Sequence, residues 1–420
     1  MVSLVLALSL SLAHRQLELP HTPLPVAALV RADSVVRDWV GQGPVPGAVL
    51  LVEQDGRVLL QRAYGVARSL EYDAGEYGAA AAGVRRGNAL RHLAEPMPMT
   101  VATRFDLASV TKVMATTFAV MILVDEGTLD LERPVVTWLP DFRGEGRERI
   151  TVEHLLTHRS GLPQWLPVYY HASDPEGAWA FVRGVPLAWA VGEGRHYSDL
   201  GFMVLGRLVE QVSGQPLDAF LRERLARPLG LRSTGFRPRG TSAEAGVAST
   251  SHGNPYEHRM VHDSTFGYRI EGDPDAWDDW RTYTLTGEVN DGNAWHAWGG
   301  VAGHAGLFST AADLGSLLQL LLDGGLRRGR RLISQATVRR FLDPIVDGQA
   351  LGWQVPAYAP AGSFTHSGFT GTWVLGVPER GLGVVLLTNR QHGGVTAEGV
   401  YPDVGPLQRS VADALLAGGR

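Results

Sequence analysis

The chain predicts an α/β fold of the α+β sandwich kind: a central antiparallel sheet drawn from both termini, flanked by helices, with a mostly helical part inserted. Three observations carry this. Near the start, residues 48–52 and 58–60 are apolar runs flanking Asp55-Gly56, a hairpin pattern between Pro46 and Gly65. Near the end, residues 372–377 and 382–387 read as two strands joined by Pro378-Glu379-Arg380-Gly381. Between them the period changes. Residues 113–124 form an apolar run that stops at Asp125-Glu126-Gly127, as a buried helix would. Residues 200–212 are helically periodic and close on Ser213-Gly214, and residues 217–225 should form a helix ending at Pro228. Residues 128–235 are therefore expected to be mostly helical, 311–322 to be a further helix and 403–416 the last. Residues 71–95, rich in Ala, Gly and charge, read as a loop insertion. Residues 236–298 are long, polar and aromatic, as expected of a lid or irregular insertion.

The expected division is a leader and linker over 1–25 and one functional unit over 26–420. Its sheet part lies at about 26–108 and 325–420 and its helical part at about 109–324. Apolar content of 45% and charged content of 19% describe a soluble globular chain rather than a disordered one. A net charge of −5 gives no reason to expect nucleic acid or an anionic membrane as partner. The absence of cysteine excludes disulfides, thiolate chemistry and Cys-ligated metals. Residues 1–13 form an apolar run ending Ser11-Leu12-Ala13, similar to the core of a secretory signal but without a positive leader. Export to the periplasm or exterior is the expectation, with the cytoplasm as alternative. No other segment is long and apolar enough to span a bilayer.

The basic residues are 37 arginines and a single lysine, Lys112, in Asp106-Leu107-Ala108-Ser109-Val110-Thr111-Lys112. Arg stays protonated in proteins, whereas a partly buried Lys can lose its proton and act as a base. One lysine kept where Arg is otherwise used throughout points to a task guanidinium cannot perform. On a helix, i and i+3 share a face, so the Ser109 hydroxyl and Lys112 amine become neighbours: a nucleophile with its proton acceptor. The position near a helix N-terminus, at the positive end of the dipole, is expected to make Lys112 ionise less readily.

Three further stretches join this pair in chain order: Thr151-Val152-Glu153-His154-Leu155-Leu156-Thr157-His158-Arg159-Ser160-Gly161-Leu162, Tyr197-Ser198-Asp199 and His366-Ser367-Gly368. The order Ser-x-x-Lys, Tyr-x-Asn/Asp, His/Lys-Ser/Thr-Gly resembles the serine β-lactamase and penicillin-binding protein superfamily. It is most similar to the class C β-lactamase and D,D-carboxypeptidase branch, which also holds esterases and D-aminopeptidases. The resemblance covers roughly residues 35–415. It implies an acyl-enzyme on Ser109, a proton passed to the Lys112/Tyr197 pair, and an oxyanion hole from the backbone N–H groups of Ser109 and Phe369. It makes Asp199, His366, Ser367, Gly368 and Phe369 substrate-binding residues, with His366 helping to orient the substrate or its carboxylate, and requires no cofactor and no metal. Substrates implied are D-Ala-D-Ala-type peptides first, then small esters, then β-lactams. The function is D,D-carboxypeptidase-like acyl transfer, with a class C-type β-lactamase or carboxylesterase as alternative and a catalytically idle binding relative as second alternative. Oligomeric state is not indicated.

One departure matters. Many relatives have Asn where this chain has Asp199. An Asn amide donates to a substrate carbonyl, whereas an ionised Asp only accepts. Asp199 should also hold Lys112 protonated, moving base work to Tyr197 and disfavouring β-lactamase activity.

Other features read more plainly. His154 and His158 are spaced i, i+4, but Leu155 stands where a zincin needs Glu, so structural hydrogen bonding is expected. His304, in a Gly-rich stretch, could face the cleft or simply sit where backbones pack closely. Arg327-Arg328-Gly329-Arg330-Arg331 lacks interleaved aromatics and reads as solvated surface. The aromatic cluster at 277–298 is expected to roof the site rather than form a local core. No Gly-x-Ser-x-Gly occurs, which argues against an α/β-hydrolase.

Overall fold

Strand β1 (Gly47–Gln54) is buried along its whole length, because strands flank both edges and helices cover both faces. The computed structural model describes residues 21–72, 90–241, 246–267, 272–327, 329–346, 348–396 and 398–417. The apolar run 1–13, most of the insertion at 71–95 and Arg328 lie outside them. β2 (Arg57–Glu71) and β3 (Arg91–Pro98) extend the sheet on one side of β1. On the other side stand β4 (Phe364–Ser367), β5 (Thr372–Val377) and β6 (Leu382–Thr388), giving the order β3-β2-β1-β6-β5-β4, antiparallel throughout. The sheet is thus built from both ends of the chain, as expected. Asp55 and Gly56 take positive φ of 52° and 73° in the β1–β2 turn.

Alternation along the strands sorts side chains into two cores. Ala48, Leu50, Val52, Val384 and Leu386 face helices α1 (Val26–Gly41) and α6 (Gly405–Leu416). Val49, Leu51, Val385 and Leu387 face the main core, which holds the helical part: α2 (Phe118–Asp125), α3 (Asp199–Ser213), α4 (Pro255–His262) and α5 (Ala311–Leu322). A one-residue slip of β1 against β6 would exchange the two sets, so the Ala48–Thr388 register is strongly specified.

The structure corrects several local expectations. Arg91–Pro98 is not loop but the edge strand β3, whose charges and two prolines suit an edge and disguise a strand. α1 has no counterpart in the sequence reading. Its buried stripe is Ala28, Ala32 and Val36, while Val26 and Val30 face solvent, so its apolar signal is weak and scattered. The helix begun at Leu217 runs through Pro228 to Leu229, because its middle, Arg222–Ala226, is a wider π-turn that relieves the proline clash. Residues 128–235, expected to be mostly helical, hold the 15-residue α3 and several shorter helices joined by long irregular connections.

The site is positioned by a second, small sheet. Phe105–Asp106 pairs with Leu307–Ser309, which pairs with Gly235–Phe236, and so carries the residue 106–109 turn beside the 300–307 loop. The Thr370 and Thr372 hydroxyls donate to the carbonyls of Asp106 (2.7 Å) and Leu107 (2.9 Å), docking the turn after β4 and the start of β5 on the same segment.

Candidate active site

Ser109 follows a strained turn. Ala108 has φ of 45°, a left-handed conformation costly for a residue with a Cβ. Buried Asp106 holds it there: one carboxylate oxygen accepts the Ala108 N–H at 2.8 Å and the other the Asn290 N–H at 2.6 Å. Burial pushes the Asp106 carboxyl up to about 6, against those two hydrogen bonds.

Lys112 lies one turn on, at the start of a π-helical stretch, Lys112–Thr117, that leads into α2. It is fully buried, as is the aliphatic core around it. Its Nζ donates to Ser109 Oγ at 2.8 Å and to the His304 carbonyl at 3.1 Å, and pairs with Asp199 Oδ1 at 2.7 Å. The Tyr197 hydroxyl bonds both Ser109 and Lys112. Hydroxyl, amine and phenol therefore share one hydrogen-bonded cluster, which offers the Ser109 proton a route away and back.

The electrostatics correct the dipole argument. Burial pulls Lys112 down, but Asp199 and Tyr197 outweigh it, and the net shift is upward. Burial also raises the Tyr197 phenol, more than the Lys112 charge lowers it. The resting pair is an ammonium and a neutral phenol, with Asp199 holding the proton on Lys112, as the Asp-for-Asn departure suggested.

The 151–162 stretch builds the platform for Tyr197. Thr151 and His154 close a capping box at the helix Val152–Leu156. His158, at φ of 57°, accepts the Ser198 N–H on Nδ1 at 3.0 Å, and its ring lies 4.5 Å from that of Tyr197. Burial keeps His158 neutral, and Ser198 caps α3 while its hydroxyl donates to the Pro163 carbonyl at 2.7 Å. Both histidines thus make the structural bonds expected. Among the described residues no group of three or more His, Cys, Asp or Glu is placed to hold a metal ion.

His366, Ser367, Gly368 and Phe369 close the other side. His366 is buried and burial pulls it down to about 3, so it offers a hydrogen bond and no charge. Its Nδ1 meets the Ser367 carbonyl at 2.8 Å, and its Nε2 has no partner among the described residues. Gly368 presses on Leu107 so closely that a Cβ would collide with the Leu107 carbonyl and Thr372 Oγ1. The Phe369 ring packs at a tilt against Tyr256 with centroids 4.9 Å apart, and Arg390 donates to the Phe369 carbonyl at 2.9 Å. Neither the Ser109 nor the Phe369 N–H has an acceptor among the described residues, so both are available to a developing oxyanion.

Two cavities meet at Ser109, Tyr197 and Phe369, each about 340 Å³. The first is walled by Gln164, Trp165, Tyr256, Glu257, Met260, Asn290 and Asp291, the second by Gln354, His366, Arg390 and Gln408. Sequence reasoning gave Asp106 no role although it stands three residues before Ser109, and it missed Glu257, Asp291 and Arg390, which sit alone in the chain and meet the site only through folding. His304, left open above, is buried beside Lys112, which it meets through its carbonyl, and its ring bonds Asp291 at 2.9 Å. The tryptophans of the 236–298 segment do not roof the site. Trp277 packs tilted and Trp280 edge-on against Tyr169, while α4 and Asn290-Asp291 from the same segment form the wall.

Comparisons with known proteins identify the family. The Beta-lactamase family matches residues 32–404. The chain is 33% identical to "N-acetylmuramyl-L-alanine amidase" of Bacillus subtilis over 87% of its length and 81% of that protein's. It is 31% identical to a Salmonella agona protein named "Putative D-alanyl-D-alanine carboxypeptidase", over 90% and 86%. Among solved structures, EstCE1, described as a hydrolase with promiscuous acyltransferase activity, superposes with TM-score 0.66 at 22% identity over 93% of this chain and 99% of that one. A class C β-lactamase superposes with TM-score 0.65 at 16% identity over 95% and 99%. The chain belongs to the β-lactamase family of serine hydrolases.

Proposed function

We propose that this hydrolase works through a covalent acyl-enzyme on Ser109 in D-alanyl-D-alanine carboxypeptidase-like acyl transfer. The observation that carries the reading is the buried Ser109–Lys112–Tyr197 cluster opening onto a cavity, with 2.8 Å between Nζ and Oγ. In the proposed step, Tyr197 first releases its proton to solvent, and Ser109 Oγ then forms a bond to the substrate carbonyl carbon while its own proton passes to the Tyr197 phenolate. The oxyanion is held by the Ser109 and Phe369 N–H groups. The C–N bond then breaks, and the proton passes on to the leaving amine. Water, activated by the same pair, releases the acid. Asp199 keeps the Lys112 proton in place and donates no hydrogen bond of its own while ionised, which favours peptide-like or ester substrates over β-lactams. The names of the relatives at 31–33% identity, both enzymes that cut amide bonds by their titles, support a peptide substrate. Export, argued from residues 1–13, is part of the same proposal.

Intact-protein mass spectrometry after incubation with benzylpenicillin tests it, comparing wild type with Ser109→Ala. A lasting adduct on wild type alone supports the reading. Rapid consumption of penicillin without adduct moves it to a β-lactamase. An adduct retained by Ser109→Ala sinks the acyl-enzyme on Ser109.

A further inference from the structure

The two oxyanion donors are held in different ways. The Ser109 N–H belongs to the turn that Asp106 braces, whereas the Phe369 N–H lies in the turn between β4 and β5, with the Phe369 side chain exposed. In that turn the Gly371 N–H donates to the Gly368 carbonyl at 2.9 Å, so the central peptide is the one joining Phe369 to Thr370. The common β-turn types differ by rotation of this central peptide, which makes it the part of a turn most able to swing. Its neighbours are fastened: the Thr370 hydroxyl bonds the Asp106 carbonyl, and the Gly371 carbonyl accepts the Thr388 hydroxyl at 2.8 Å. The central carbonyl itself, that of Phe369, accepts from Arg390 Nε at 2.9 Å. Through Nη1 the same guanidinium donates to the Pro402 carbonyl at 2.9 Å, and it lies 5.2 Å from the centroid of the Phe369 ring. Its stem packs on Gly371, where a Cβ would meet Arg390 Cγ at 3.0 Å. Arg390 stands on a fixed base. It follows β6, where Asn389 Nδ2 donates to the carbonyls of Val66 (3.1 Å) and Ala67 (3.2 Å) and His392 Nε2 accepts from Ser69 and Leu70.

We infer that Arg390 is a positioning residue of the oxyanion hole: by gripping the Phe369 carbonyl and ring it fixes the direction of the Phe369 N–H, and so sets how well that donor meets the tetrahedral oxyanion. The inference rests on the acyl-enzyme reading and adds to it a residue that touches no reacting atom. Both guanidinium bonds go to backbone carbonyls rather than to an acid, a task suited to a planar fork with several fixed donors. Without that grip the central peptide can rotate, and the Phe369 N–H points at the oxyanion for only part of the time. The loss then falls on the transition state more than on substrate binding, because the oxyanion exists only there.

The test uses two small neutral probes, so that a lost contact between Arg390 and a substrate carboxylate cannot account for the result. They are p-nitrophenyl acetate, whose turnover gives kcat/KM, and phenylboronic acid, which forms a tetrahedral adduct on a serine Oγ and so reads the oxyanion hole at equilibrium. In Arg390→Met, which keeps an apolar stem and no donor, kcat/KM should fall by about 10²-fold and the boronate Kd should rise by a similar factor. Partial unfolding would act differently, lowering the number of active molecules and leaving the Kd of the rest unchanged. The pH at which acylation is half-maximal should stay in place, since Lys112 and Tyr197 are untouched. A wild-type boronate Kd in Arg390→Met, with Ser109 still acylated by the ester on mass spectrometry, overturns this inference and leaves the acyl-enzyme standing. No acylation of Ser109 in wild type overturns both. Arg390→Lys keeps a charge and one donor, and should weaken the boronate by only about tenfold, the size of one charge-assisted bond. Should Arg390→Met fail to fold, Arg390→Lys decides, and a wild-type Kd there refutes the inference.

Discussion

Asp199→Asn is the most informative single change, because the Asp199 charge acts on both partners of the proposed base. Its Oδ1 lies 2.7 Å from Lys112 Nζ, and it raises the pKa of Lys112 and of Tyr197 alike. At an effective dielectric of about 20, a unit pair at that distance attracts by roughly 6 kcal/mol, an upper bound because the Asp199 side chain keeps some solvent contact. Opposite charges at such range shift pKa values by about 1–3 units. The sign follows directly. If the reaction needs Tyr197 to give up its proton, acylation rises with pH towards the raised phenol value. Removing Asp199 lowers that value, so the rising limb moves to lower pH by about 1–3 units. Acylation at neutral pH should then accelerate by up to about tenfold per unit moved. The assay is the second-order rate of Ser109 acylation by a chromogenic ester between pH 5 and 10, wild type against variant. A limb that stays in place, or moves up, would refute the assignment of Asp199 as the group that holds the pair protonated. The variant should also melt earlier, since the buried Lys112 ammonium loses its partner, a change that typically costs about 3–5 kcal/mol unless the lysine deprotonates.

Lys112→Arg should reduce kcat/KM by about 10²–10⁴-fold, because the larger planar fork does not fit the fully buried slot and cannot keep the contacts to Ser109 and Tyr197 that position the nucleophile. Near-normal ester turnover by that variant would refute the need for an amine. Gly368→Ala should cost roughly 1–3 kcal/mol and depress acylation together, as the new Cβ collides with the Leu107 carbonyl and shifts the Phe369 N–H; thermal melts and acylation rates check the pairing. Stability should fall with acid through two buried histidines. Burial holds His252 at about 4 and His392 at about 3, and His392 Nε2 accepts the Ser69 N–H (2.8 Å) and the Leu70 N–H (3.1 Å). The unfolded chain takes up these protons near pH 6.5 and the folded one does not. The contribution is therefore whole above that pH and is lost as pH falls towards the folded values. His392→Gln should flatten the fall of Tm between pH 6 and 4, and an identical slope would count against the argument.

Local chemistry and periodicity were enough for much of this molecule. The strands at both ends, the hairpin turn at Asp55-Gly56 and the helix over Ala311–Leu322 follow from alternation, turn residues and amphipathic spacing, all written within a few residues. The Ser109–Lys112 pairing was legible for the same reason, as one helical turn joins them. What stayed hidden depends on partners far along the chain. α1 carries its contacts on small alanines, and β3 disguises an edge with charge and proline. Asp106, Glu257 and Asp291 are ordinary acids until folding brings residues 106, 257 and 290–292 together. The protonation state of Lys112 lies between the two, because the sequence offered opposing cues, the helix dipole and the Asp199 departure. The helix dipole that the sequence reveals predicts a weaker cation, and the Asp199 carboxylate, brought within 2.7 Å from 87 residues away, reverses the sign. A dipole's partial charge acts through one helical turn, whereas a full charge at contact distance in a dry pocket dominates, and only the tertiary structure decides which charges arrive there.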